Sequence, residues 1–238
     1  MEIKNIILVM ASLFLSAAHY VDASEVIRIT CVGDSNTKAG YPKLLQEALG
    51  DGWETINCGI GAATVIEGSL RPYHKIPEYE KAIQSNPDIV IIMLGTNDAN
   101  PRWWDDLERE TPFQGSAEEE FLVGYQKLIE TFQALPSKPQ IFVATPLPVF
   151  PAAEKREEMK AERIGRRDNL VRHIIPIIEK IAEDPSVTLI DIQSAMAGQE
   201  ANCRDGVHYN NIGKKMMADV FAASIQQYAS ITETVDPK

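Results

Sequence analysis

Hydrophobic and polar positions along this chain follow two periods in turn. Short apolar runs bounded by turn residues recur at 27–32, around Thr55-Ile56, and at 88–94, 140–145 and 186–191, and such runs predict strands. The run Asp88-Ile89-Val90-Ile91-Ile92-Met93-Leu94 is apolar almost throughout, the pattern of a parallel strand buried on both faces. Between the runs the spacing turns helical. Residues 41–49 carry Leu44, Leu45, Ala48 and Leu49 on one predicted face, and Gly50 and Gly52 stop the helix. A short helix is predicted near 79–83. Residues 118–135 form an amphipathic helix with Phe121, Leu122, Tyr125, Leu128, Ile129 and Phe132 inward. A helical pattern spans 161–182, kinked or restarted at Pro176. The last helix, 212–228, is expected to bury Ile212, Met216, Val220, Phe221 and Ile225. The mixed charges of 154–160 predict a solvated face, and the tail 231–238 is expected to fray.

Strands that alternate with helices throughout imply a parallel sheet covered on both faces. The predicted fold is α/β, a flavodoxin-like three-layer α/β/α sandwich whose five-stranded parallel sheet runs in the order 2-1-3-4-5. Composition agrees with a globular protein, at 45% hydrophobic and 24% charged residues. The net charge of −11 with no basic block argues against nucleic acid and anionic membrane partners. Residues 1–23 read as a secretory signal peptide: Lys4 starts it, residues 6–18 are apolar, and Val21-Asp22-Ala23 fits a cleavage site. That apolar run is too short to span a bilayer comfortably, so no stable membrane anchor is expected. Residues 24–238 are then one domain, secreted or periplasmic. Cys31, Cys58 and Cys203 are odd in number, so one thiol at least has no partner within the chain. No zinc-type spacing occurs, and no metal or other cofactor is expected.

The candidate chemistry gathers where strands end. The first strand runs into Gly33-Asp34-Ser35-Asn36, which places a serine just before a helix, where open α/β sheets hold ligands. These four residues are also ordinary turn formers. A serine needs a base to become a nucleophile. Of the four histidines, His19 falls in the cleaved segment, His173 among isoleucines, and His74 in a polar connection without an acidic residue at useful spacing. His208 closes Asp205-Gly206-Val207-His208. There the aspartate can fold back onto the imidazole, fix its tautomer and stabilise its charged form. The buried strand ends in Gly95-Thr96-Asn97-Asp98, an amide at a strand end. The strand near Ile56 ends in Asn57-Cys58-Gly59-Ile60-Gly61-Ala62-Ala63-Thr64, where small residues leave backbone N–H groups free to face a ligand.

On these four blocks, in this order from Ser35 to His208, the chain resembles the SGNH hydrolase superfamily, also called GDSL-type esterases. The resemblance implies Ser35 as nucleophile, Asp205 and His208 as the rest of a triad, and Asn97 as an oxyanion donor beside the backbone N–H of Ser35 and of Gly61 or Ala62. Two positions depart from the family pattern: Asn36 stands where leucine or isoleucine is usual, and Ala62 aligns with a usual glycine. The wording of residues 86–91 and 145–150 resembles the bacterial carbohydrate and sialate O-acetylesterase branch.

The implied function is a secreted serine esterase hydrolysing short-chain, acetyl-type esters on carbohydrates through an acyl-enzyme, its partner a small-molecule or polysaccharide ester. Lysophospholipase or thioesterase chemistry, and a non-catalytic glycan-binding protein on the same fold, remain as alternatives. A nucleotide-binding flavodoxin-like protein is set aside because no phosphate loop occurs. The loop 99–117 carries Arg102, Trp103 and Trp104 as candidate substrate contacts. The tryptophans either stack on a sugar or acyl chain or pack the loop onto the body. The proline-rich 146–151 is read as a second pocket wall or a stiff connector.

Overall fold

A computed structural model of the chain describes residues 26–69, 71–104 and 115–235. The expected signal segment and residues 105–114 of the loop lie outside the described residues. The strands are β1 (Ile27–Gly33), β2 (Trp53–Gly59), β3 (Ile89–Met93), β4 (Gln140–Ala144) and β5 (Val187–Ile190). All pair in parallel, in the order β2-β1-β3-β4-β5, so the predicted sheet is the observed one. β2 is longer than Thr55-Ile56 suggested, because its polar positions Glu54 and Thr55 pair in register with Arg28 and Ile29 at a sheet edge. An edge strand has less apolar character to show.

The helices are α1 (Ser35–Lys38), α2 (Tyr41–Leu49), α3 (Pro77–Gln84), α4 (Pro101–Trp104), α5 (Ala117–Gln133), α6 (Glu157–Asn169), α7 (Ile175–Ile181), α8 (Ile192–Ala195) and α9 (Asn211–Val235). Alternation along the strands sorts them into two layers. Val90 and Ile92 of β3 face α3, α5, residues Leu170–Ile174 and α7, in one core with Tyr125, Phe132 and Ile178. Ile89, Ile91 and Met93 face α2 and α9, in a second core with Tyr41, Leu45, Phe221 and Ile225. The Tyr41 and Phe221 rings stack at 4.7 Å and join α2 to α9.

Several expectations are corrected. On α2, Leu45 is buried with Tyr41 and Pro42, and Leu44 and Leu49 pack half-buried against the same core as expected, while Ala48 is exposed. On α9 the buried face turns to Met217, Ala218, Phe221, Ala222 and Ile225, leaving Ile212 63% exposed. That helix continues through residues expected to fray and ends at Val235. Residues 154–160 are not uniformly solvated, since Glu154 is 3% exposed and pairs with Arg156 and Arg163. α6 therefore starts at Glu157. At Pro176 the α-helix restarts: α7 begins at Ile175 with the proline in its first turn. Residues Leu170–Ile174 widen into a π-helix in which the Ile175 N–H donates to Leu170 O. The wider turn gives room to a proline that has no N–H and crowds the preceding turn. The three cysteines are buried and unpaired.

Candidate active site

β1 delivers Ser35. At Gly33 a Cβ would fall 2.0 Å from Thr37 Oγ1 and 3.0 Å from Met93 O, so only glycine lets the chain turn against β3 here. Asp34 caps α1 by accepting the Asn36 N–H at 2.9 Å. Burial raises the Asp34 carboxyl above its usual range despite that bond. Ser35 opens α1 at the carboxyl end of β1, next to the central strand of the sheet.

The turn before α9 supplies the partner. Ser35 Oγ lies 2.9 Å from His208 Nε2, across 173 residues of sequence. His208 Nδ1 lies 2.7 Å from Asp205 Oδ2. The other carboxylate oxygen, Asp205 Oδ1, accepts the backbone N–H groups of Val207 at 3.1 Å and His208 at 2.8 Å. One side chain thus shapes the turn and orients the ring. Gly206 completes it at φ +85, and a Cβ there would meet Phe150 O at 2.9 Å. Burial pushes the Asp205 carboxyl up. Hydrogen bonds from the His208 ring and N–H, with the imidazole's charge, outweigh this and hold it well below the usual carboxylate range. A proton held on Nδ1 by this carboxylate leaves Nε2 as an acceptor facing the serine hydroxyl.

Asn36 has a physical account. Buried at 3% exposure, its Nδ2 donates to Val207 O at 3.2 Å, tying the helix after the serine to the histidine turn. A leucine or isoleucine could not make that tie.

The second block stands on the other side. Asn57 accepts the Gly59 N–H at 2.9 Å and donates to Thr37 O at 3.2 Å. Gly59 lies so close to α1 that a Cβ would be 2.3 Å from Lys38 N. The left-handed residue of this loop is Ala62, at φ +62, whereas Gly61 has open space around it and accepts from Arg71 Nη1 at 2.9 Å. Asn97, at the end of β3, donates one amide N–H to Ala63 O at 3.0 Å. An amide carries two N–H groups, so one is left over. Its neighbour Asp98 is fully buried. Asp98 Oδ1 accepts the Val65 and Ile66 N–H groups at 2.8 and 2.9 Å, while Oδ2 has no partner among the described residues. Burial pushes the Asp98 carboxyl up to about 7 against the pull of those two bonds.

The candidate substrate residues divide. Trp104 is buried, with its ring 5.3 Å from His173, so it packs α4 onto the body. Trp103 is half-buried and Arg102 exposed. The proline-rich 146–151 supports the histidine turn from behind: the Phe150 N–H donates to Gly206 O at 2.9 Å, and Pro148 O accepts Tyr209 Oη–H at 3.0 Å. Its far side lines a cavity of about 640 Å³ together with Val171 and Gln193, which the triad residues do not line. His74 does have an acidic neighbour, Glu67 at 3.7 Å. Among the described residues no cluster of three or more histidine, cysteine or carboxylate side chains could hold a metal, and no helix is long and apolar enough to cross a membrane.

Sequence reasoning missed two arginines. Arg163, on α6, donates from Nε to Asp205 O at 3.0 Å and pairs with Glu154 at 3.3 Å. Arg166, 6% exposed, donates from Nη1 to Thr96 O at 2.9 Å and to Asn97 Oδ1 at 3.3 Å. Glu162 pairs with both. Their one signal was the three-residue spacing, which puts both on one helix face.

The model of the GDSL-like lipase/acylhydrolase family matches residues 28–216. An acetylxylan esterase of Xylanibacter ruminicola is 30% identical over 221 residues, covering 85% of this chain and 44% of that protein. The chain thus spans less than half the length of that curated relative. Among solved structures, the acetyl xylan esterase AlAXEase is 24% identical with a TM-score of 0.60, over 84% of this chain and 100% of that one. Est24, a carbohydrate acetylesterase from Sinorhizobium meliloti, is 16% identical with a TM-score of 0.65, over 85% and 99%. The M. smegmatis aryl esterase is 18% identical with a TM-score of 0.63, over 84% and 99%. At these identities the structures attest the shared fold.

Proposed function

Because this chain belongs to the GDSL-like lipase/acylhydrolase family, within the SGNH hydrolases, we propose that it is a serine carboxylic ester hydrolase acting through Ser35, His208 and Asp205. The observation that carries the reading is the run of short contacts from Ser35 Oγ to His208 Nε2 at 2.9 Å and from Nδ1 to Asp205 Oδ2 at 2.7 Å. In the proposed first step the Ser35 hydroxyl proton passes to Nε2 as Oγ bonds to the ester carbonyl carbon. The carbonyl electron pair moves onto oxygen. The oxyanion is met by the Ser35 N–H, by the Gly61 or Ala62 N–H, and by the Asn97 amide N–H not used on Ala63. As the carbonyl re-forms, the bond to the alkoxy group breaks and the proton on Nε2 goes to the departing alcohol. Water then takes the alcohol's place, gives a proton to Nε2, and releases the acid and Ser35.

The proposed substrates are acetyl esters on carbohydrates. The relatives named as acetylxylan esterase and carbohydrate acetylesterase support this class. We also read residues 1–23 as an export signal and 24–238 as one hydrolase domain working outside the cytoplasm, which N-terminal sequencing of the exported protein tests.

Ser35→Ala should remove hydrolysis of 4-nitrophenyl acetate and of acetylated xylan, together with covalent labelling by a fluorophosphonate. Activity or labelling that persists in the variant sinks the assignment.

A further inference from the structure

We propose that Arg166 is a positioning residue for the oxyanion site, fixing the Asn97 amide so that its second N–H points at the developing charge. The inference rests on the hydrolase reading above. A primary amide can be turned over at little cost when nothing distinguishes its oxygen from its nitrogen. Here two partners do. Arg166 Nη1 donates to Asn97 Oδ1 at 3.3 Å, and Asn97 Nδ2 donates to Ala63 O at 3.0 Å. Turning the amide over would set its NH2 against a guanidinium and its oxygen against a carbonyl, losing both bonds. Both contacts therefore select one orientation, and it leaves one N–H unspent.

The arginine is itself held. Nε donates to Glu162 Oε1 at 2.7 Å, Nη2 bonds the same oxygen, and Nη1 also donates to Thr96 O at 2.9 Å. These bonds engage all three guanidinium nitrogens and fix its plane, in a side chain only 6% exposed. Lysine, a single rotatable charge, cannot reproduce that fork. The charge has a second effect. A guanidinium on the amide oxygen polarises the amide and strengthens its N–H as a donor. The same helix face sends Arg163 to Asp205 O at 3.0 Å, so α6 braces both halves of the site one turn apart.

The test is a double-mutant cycle on the full chain with 4-nitrophenyl acetate, each variant checked by circular dichroism. Asn97→Ala should lower kcat on the order of a hundred- to a thousandfold. Arg166→Met should lower kcat on the order of ten- to a hundredfold with KM unchanged, as expected when only the transition state loses an interaction. In the Asn97→Ala background, Arg166→Met should add almost nothing. Should Arg166→Met not fold, Arg166→Lys, which keeps the charge, runs the same cycle and should show a smaller kcat loss that again vanishes without Asn97. A loss that multiplies undiminished in the double variant, a rise in KM in place of the fall in kcat, or no loss in the single variant overturns the proposal. Fluorophosphonate labelling of Ser35 separates the readings: labelling retained while the cycle fails leaves the hydrolase standing and removes only the role of Arg166. An Asn97→Ala variant of undiminished activity overturns both the Asn97 donor and its positioning.

Discussion

Ala62 holds a backbone conformation that its side chain resists. Its φ of +62 is the left-handed region, which costs a residue with a Cβ about 1 kcal/mol or more. The position is exposed, so a glycine there loses no packing. Ala62→Gly should stabilise the protein by about 1 kcal/mol, read from urea unfolding, and leave kcat within about twofold, because the N–H stays where it is. A loss of activity would show that the alanine methyl holds the donor in place. The sequence placed a small residue here, yet it could not say which of Gly61 and Ala62 turns left-handed, since φ is set by the loop's closure against Arg71 and α1. Other single residues show the same limit. Trp104, which the sequence left open between ligand contact and packing, is a core residue. Glu154 sits in a charged run and is buried, because two arginines that lie beyond it in sequence neutralise it.

Four connections meet at the histidine turn: α1 through Asn36, α6 through Arg163, and the loop after β4 through Phe150 and Pro148. Asn36→Ala removes the first and leaves the Val207 carbonyl buried without a donor. The expected cost is about 1–3 kcal/mol in unfolding free energy. The loosened His208 should also lower kcat for an aryl acetate more than it changes KM; stability and kinetics both unchanged would show that the tie is dispensable. Helix and strand positions were largely readable from periodicity, because each element buries a face whose spacing is local. The braces were not, because nothing in the helical pattern of 161–182 separates a buried arginine from a solvated one. What buries Arg163 and Arg166 is their fit to carbonyls at the ends of β3 and of the Asp205 turn, distant in sequence and specified by no pattern.

Two carboxylates give the whole molecule opposite responses to pH. Asp205 is held below its usual range, so its stabilising contribution is present above its unfolded value of 3.8 and is lost as pH falls toward its folded value. Asp98 is raised, so its contribution is full below 3.8 and is lost as pH rises through about 7. Asp98→Asn keeps an oxygen for Val65 and Ile66 but cannot ionise. Its urea midpoint should decline less than the wild type's across the window from 3.8 to about 7, because Asp34 is raised as well, and the difference should be largest above it. Parallel declines in the two proteins would assign the pH response elsewhere. The sheet order was readable because it follows from alternation and handed crossovers; this titration was not, because burial at the end of β3 is a property of the assembled core.

Ser35 and His208 meet only after everything between them has found its place. β1 leaves the ribosome early with the hydroxyl exposed, and the imidazole emerges after the fifth strand. On the mechanism proposed above, a chain that has laid down most of its sheet would hold its nucleophile without the base that activates it. On that mechanism hydrolysis needs both ends of the chain docked, so regained acetate release would time the moment Ser35 and His208 meet during refolding.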